Sequence, residues 1–116
     1  GKTFGPAIDT GVLGQSSSLV HLDGERLLTI HAQRENDARL VVRLVDFSED
    51  MFRIEDELDL FADPAMGSTT IDMKQQFGSL KFGQPTVLRL QSGKVLAYCW
   101  SFENHQYIIK GFHLTL

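Results

Sequence analysis

The sequence predicts an all-β fold built from two four-stranded antiparallel sheets. Three observations predict it. Apolar residues recur at alternate positions in short runs, and turn-forming residues stand in the gaps between runs. The second half of the chain also repeats the first.

The runs follow in order. Residues 17–22 carry Leu19, Val20 and Leu22, and Asp23-Gly24 supplies a turn. Residues 26–33 open with RLLTI, rich in β-formers. Residues 39–47, RLVVRLVDF, are β-branched and apolar between polar turns. Residues 52–61 alternate through Phe52, Ile54, Leu58 and Leu60. A helical reading of this last run is set aside, because no capping pattern precedes it. Residues 62–82 break the pattern with Asp63, Pro64, Gly67 and Ser68, and read as a long loop of the kind that is functional or disordered. Strands resume at 86–90, 95–102 and 107–114.

The repeat lays residues 14–36 over 83–104 with one insertion. Both copies open on Gly-Gln, at Gly14-Gln15 and Gly83-Gln84, and close on Glu-Asn, at Glu35-Asn36 and Glu103-Asn104. Leu22 matches Leu90, Arg26 matches Lys94 and Leu28 matches Leu96. Without the loop the unit is about 45 to 50 residues and four strands, the size of a β-propeller blade. The first unit covers about residues 14–61 and the second about 83–116. The second contains three strands, so residues 3–12 are expected to supply its fourth. Two blades cannot close a ring and would leave apolar faces and strand edges open. Either copies assemble, three of them making a six-bladed ring, or the chain is part of a longer propeller.

Composition narrows the class. The chain has 116 residues, 42% hydrophobic and 22% charged, with net charge −4, as expected of one folded domain. The acidic balance, with a pI near 5.4, argues against a nucleic-acid partner. No apolar run reaches the roughly 20 residues of a membrane helix, so no membrane partner is read. A single cysteine, Cys99, excludes an internal disulfide and reads as a small buried hydrophobe. His21, His31, His105 and His113 show no metal-ligand spacing, and no glycine-rich phosphate loop is present. No metal or cofactor is therefore expected. The carboxylates at 55, 56, 57 and 59 read as a solvated strand face at a sheet edge.

The strings TGVLGQSSSLVHLDGERLL and FGQPTVLRLQSGKVLAYCW, with IIKGFHLTL after them, resemble the sialidase (neuraminidase) superfamily of six-bladed propellers. The latter string, with its tail, resembles the closing blade of bacterial members. The resemblance covers about residues 10–60 and 82–116. Blades of that family often carry a Ser-x-Asp-x-Gly-x-x-Trp box, the mark of the so-called BNR repeat. Here the corresponding turn reads Ser48-Glu49-Asp50-Met51-Phe52, which keeps the Ser and the Asp and lacks the Gly. The resemblance implies a carbohydrate-active protein acting on a glycan or a sialic-acid-like sugar, and it leans toward secretion or the periplasm. It also implies glycoside hydrolysis by three arginines, a Tyr-Glu pair and an Asp drawn from several blades. Two blades cannot supply that set.

Topology gives a candidate site beside the resemblance. In an antiparallel unit the residues before strand one and after strand two share an edge. Gln15 is thus expected near Arg34, Glu35 and Asn36, and Gln84 near Phe102, Glu103 and Asn104. The loop 62–82, Trp100 and His105 are expected on the same rim. Amides, carboxylates, an arginine and an aromatic face suit a sugar, whose hydroxyls need donors and acceptors and whose C–H face packs on rings. In a hydrolase, Glu35 or Glu103 would be the acid/base, Arg34 would hold an acidic sugar's carboxylate, and Tyr107, which opens a strand at the rim, is the better candidate for a tyrosine nucleophile than Tyr98. The other reading is architectural. Gln15, Gln84, Glu35, Glu103, Asn36 and Asn104 recur in both copies, Glu35 and Glu103 would accept hydrogen bonds from turn amides, and Asn36 and Asn104 suit turns. Trp100 suits packing between blades as well as a sugar platform. A non-catalytic glycan-binding or assembly module is the alternative function.

Overall fold

A computed structural model of the chain describes residues 3–33, 38–63 and 81–115. It is all-β. Strands β1 (Ser16–Asp23), β2 (Arg26–Gln33), β3 (Ala38–Asp46) and β4 (Arg53–Asp63) form one antiparallel sheet in sequence order. Strands β5 (Phe82–Arg89), β6 (Val95–Glu103) and β7 (Gln106–Leu114) form a second. A 3₁₀ turn, Ser48–Asp50, joins β3 to β4 at the place of the degenerate box. It is held by the Ser48 N–H donating to Asp46 Oδ1 (2.7 Å) and by Phe47 and Phe52 meeting edge to face.

Two expectations are corrected. Among the described residues the second sheet has three strands, not four, and residues 3–12 do not complete it. Local chemistry explains the second point. The Gly11 N–H donates to Asp9 Oδ1 (2.8 Å) and the Val12 N–H to Thr10 Oγ1 (3.2 Å). With Gly11 at φ 72°, these side-chain bonds make a turn where a strand would need extended backbone. Strand β5 also begins earlier than expected, at Phe82, because a bulge between Gly83 and Thr86 absorbs Gln84 and Pro85 without ending the pairing. The predicted loop 62–82 is strand at both ends, and its residues 64–80 lie outside the described ones.

The two sheets pack face to face on one apolar core. Leu28, Ile30 and Ala32 of β2 and Leu40 and Val42 of β3 meet Val87, Val95, Ala97 and Cys99 of the other sheet. They approach most closely along β1 and β5. There the Val87 N–H donates to Ser18 Oγ (3.4 Å) and the Arg89 guanidinium donates to the Leu22 carbonyl.

The ladders make the repeat a structural one. Leu28 pairs with Leu44, Ile30 with Val42 and Ala32 with Leu40. At the same rungs of the second sheet Leu96 pairs with His113, Tyr98 with Gly111 and Trp100 with Ile109. Leu19 pairs with Thr29 as Val87 pairs with Ala97. Alternation then fixes the stacking. The rungs that face the neighbour in sheet 1, such as Ala32 and Leu40, face away from it in sheet 2, as Trp100 and Ile109. The sheets are stacked head to tail, not front to front.

Candidate functional site

The starts of β1 and β5 and the β6–β7 hairpin lie at one end of the stack, the expected rim. Gln15 anchors the start of β1, its N–H donating to the Ala32 carbonyl (3.1 Å). Gln84 sits in the β5 bulge at φ 46°. Asn104 and His105 form the two-residue turn of the hairpin, both left-handed at φ 51° and 60°. That conformation marks a type I′ turn, and it explains Asn104 on architectural grounds. Arg34, Glu35 and Asn36 lie outside the described residues.

The hairpin sorts the remaining candidates onto two faces. Glu103 pairs with Gln106, and Phe102 with Tyr107. On the side of Phe102, the Tyr107 ring lies 4.8 Å from that of Phe102 and 6.0 Å from that of Trp100. The Lys81 ammonium stands 4.6 Å above the Phe102 ring. Gln84, Thr86, Tyr98, Trp100 and Ile109 line an open pocket of about 360 Å³ next to these rings. Glu103 belongs to the other face, where its carboxylate takes the Lys110 ammonium at 2.5 Å. Cys99 shares that face, buried, and burial pushes its thiol up. So Gln84, Trp100 and Tyr107 come together, and Glu103 is separated from Tyr107 by the thickness of the sheet.

Sequence reasoning placed Phe102 at the rim but missed Lys81 and Ile109 as members of this surface. The signal was present as Tyr98-x-Trp100-x-Phe102, three aromatic residues at the strand period on one face. The surface can stack on an apolar sugar face, donate hydrogen bonds and attract a carboxylate. Among the described residues its lining holds no carboxylate.

A separate polar cluster lies on the outward face of sheet 1. Arg43, buried, donates from Nε to Glu57 Oε2 (2.8 Å), and Arg39 bridges Glu57 and Asp59 (3.6 and 3.5 Å). These carboxylates are therefore not simply a solvated face. Arg43 Nη1, Thr29 Oγ1 and His31 Nδ1 are buried there without a hydrogen-bond partner among the described residues.

Compared with known proteins, the chain matches no family model, no curated protein and no solved structure.

Proposed function

We propose that the chain is a propeller-like, carbohydrate-active unit, akin to the sialidase superfamily, that binds a glycan at the rim of its second sheet. One observation carries this reading. Tyr107, 74% exposed, stands against Phe102 beside the Lys81 ammonium, with the Gln84 pocket adjoining. An exposed ring suits the C–H face of a sugar, and an ammonium suits an acidic sugar's carboxylate. In the hydrolytic form of the reading, Glu35 or Glu103 is the acid/base, Tyr107 the nucleophile and Arg34 the carboxylate clamp. The placement of Glu103 and Tyr107 on opposite faces favours binding over hydrolysis.

The test is calorimetric titration with sialyllactose, and with lactose as the neutral control. Saturable binding of the acidic sugar alone is expected, with Tyr107→Ala weakening it by about tenfold or more, the loss of one sugar–ring contact. No binding of either sugar at millimolar concentration would remove the proposal. Release of a fluorescent aglycone from a sialoside, lost in Glu103→Gln, would restore the hydrolytic form.

A further inference from the structure

We infer that the free edge of β7 pairs with the free edge of β7 in a second copy of the chain, antiparallel and centred on Ile109, so that two three-stranded sheets join into one of six. The inference rests on the edges of the sheets and not on the glycan reading. Among the described residues there are four edge strands, β1 and β4 in sheet 1 and β5 and β7 in sheet 2. Edge strands of soluble domains are kept from pairing by charge, proline, bulges or cover. β5 carries a bulge and Pro85, which has no N–H to give. β1 and β5 cover each other, with Ser18 Oγ of β1 accepting the Val87 N–H. β4 presents Glu55, Asp56, Glu57 and Asp59. β7 has none of these guards. It reads QYIIKGFHL, with no proline and no carboxylate, and its ladder to β6 runs without a bulge. The ammonium of Lys110 is held by Glu103 of the same chain. Tyr107 and Ile109 are each 74% exposed.

Pairing parity says which residues of β7 turn their backbone groups to the open edge. The Val87 N–H points away from β6, toward Ser18, so the Val87–Ala97 rung is a non-hydrogen-bonded one. Ala97 therefore turns its N–H and C=O to β7, at Phe112. Bonded rungs alternate, so Ile108, Lys110 and Phe112 bond to β6, and Tyr107, Ile109 and Gly111 turn their groups outward. The two-residue turn at Asn104 and His105 gives the same parity, since its closing pair, Glu103 and Gln106, is a bonded one. Two β7 edges can bond only through the outward residues. Centred on Ile109, Ile109 faces Ile109 and Tyr107 faces Gly111 across a twofold axis, so each ring lies beside a residue with no side chain of its own. Lys110 then faces Ile108. Moving the centre to Lys110 opposes two ammonium groups, and moving it to Gly111 opposes two glycines. The contact is isologous and closes at two copies. A strand added at an edge leaves both faces of the sheet open, so it does not cover the rings at the rim.

Light scattering on a gel-filtration column, from about 1 μM to about 1 mM, covers the span over which weak association shows. A dimer of twice 13.0 kDa is expected at the upper end. Gly111→Pro removes an outward N–H without removing a bond to β6, and proline is tolerated on an edge strand. The variant should keep the strand signature in circular dichroism and stay monomeric throughout. Amide hydrogen exchange tests the same register with no substitution. In the dimer the N–H groups of Tyr107, Ile109 and Gly111 should exchange about tenfold more slowly or better, while those of Ile108, Lys110 and Phe112, already bonded to β6, change least. A wild-type monomer across the range, an assembly larger than two, a Gly111→Pro chain that still dimerises, or outward amides no slower in the dimer than in the monomer overturns the inference. Sialyllactose titration of the monomeric Gly111→Pro chain, which keeps Lys81, Trp100 and Tyr107, tests the glycan reading separately.

Discussion

Sheet 1 and sheet 2 share a ladder rung for rung, yet the residues on equal rungs differ in kind. Ala32 stands where Trp100 does, Thr29 where Ala97 does, and Arg43 where Phe112 does. The backbone pairing that both sheets need is preserved, and the side chains follow their neighbours. Most rungs facing the other sheet carry a small or aliphatic residue, as at Ala32, Leu40, Ala97 and Cys99, with Phe82 and Phe112 as aromatic members of the core. A rung facing outward is free to diverge, to an ion-paired surface on sheet 1 and to an aromatic one on sheet 2. Environment, more than position in the repeat, sets what a residue contributes.

The sharpest test of that statement compares Leu40→Ala with Ile109→Ala. The two residues occupy the same rung. Leu40 is fully buried between the sheets, and its truncation should cost about 2 to 5 kcal/mol of unfolding free energy. Ile109 is 74% exposed, and its truncation should stay within about 0.5 kcal/mol in a monomeric chain. Urea denaturation of the monomer measures both. Equal costs would mean that the outward face of sheet 2 is already covered within one chain, and the comparison would break.

Seven strands were readable because each pairs an alternating apolar run with a visible turn. The rim was readable because antiparallel topology alone brings the starts of β1 and β5 to one end. What escaped was parity. Glu103 and Tyr107 both stood at the rim, but the face each occupies depends on the hairpin turn having two residues, Asn104 and His105. One residue more would have changed the facing of β7 relative to β6. The failure of residues 3–12 to pair has a similar origin. A strand count of three in the second unit asked for a partner from this segment, and the side-chain-to-backbone bonds of Asp9 and Thr10 prevent one. Short polar residues compete with sheet bonds in ways that neither a strand count nor a period-two pattern records.

A middle-sized effect is expected at Arg43, where sheet 2 carries Phe112. Arg43→Met keeps the apolar stem and removes the bond to Glu57. The loss should be about 1 to 2 kcal/mol, toward the low end for a charged hydrogen bond because the Glu57 side chain is 40% exposed and solvent screens it. High salt should shrink the difference between the variant and the wild type. A variant as stable as the wild type would mean that the orphaned Nη1 already offsets the Nε bond, and that the polar face contributes no net stability.

The smallest effect belongs to His31, on the rung of Cys99. Burial, and then the nearby positive charge of Arg43, lower its pKa from the ordinary 6.5. The sign follows from linkage. In the unfolded chain His31 takes up a proton as pH falls through 6.5, while in the folded chain it resists until lower pH. The unfolded state therefore binds more protons in that window, and stability declines as pH drops from above 6.5 toward the folded value. His31→Gln removes this contribution, so its Tm should fall less than that of the wild type between about pH 7.5 and about pH 5.5, a window that brackets the ordinary histidine value. Cys99 offers the control, since burial pushes its thiol up and it stays protonated throughout that range. Equal pH slopes for the wild type and His31→Gln would place the acid sensitivity elsewhere, and the two sheets would then respond to pH alike at this rung.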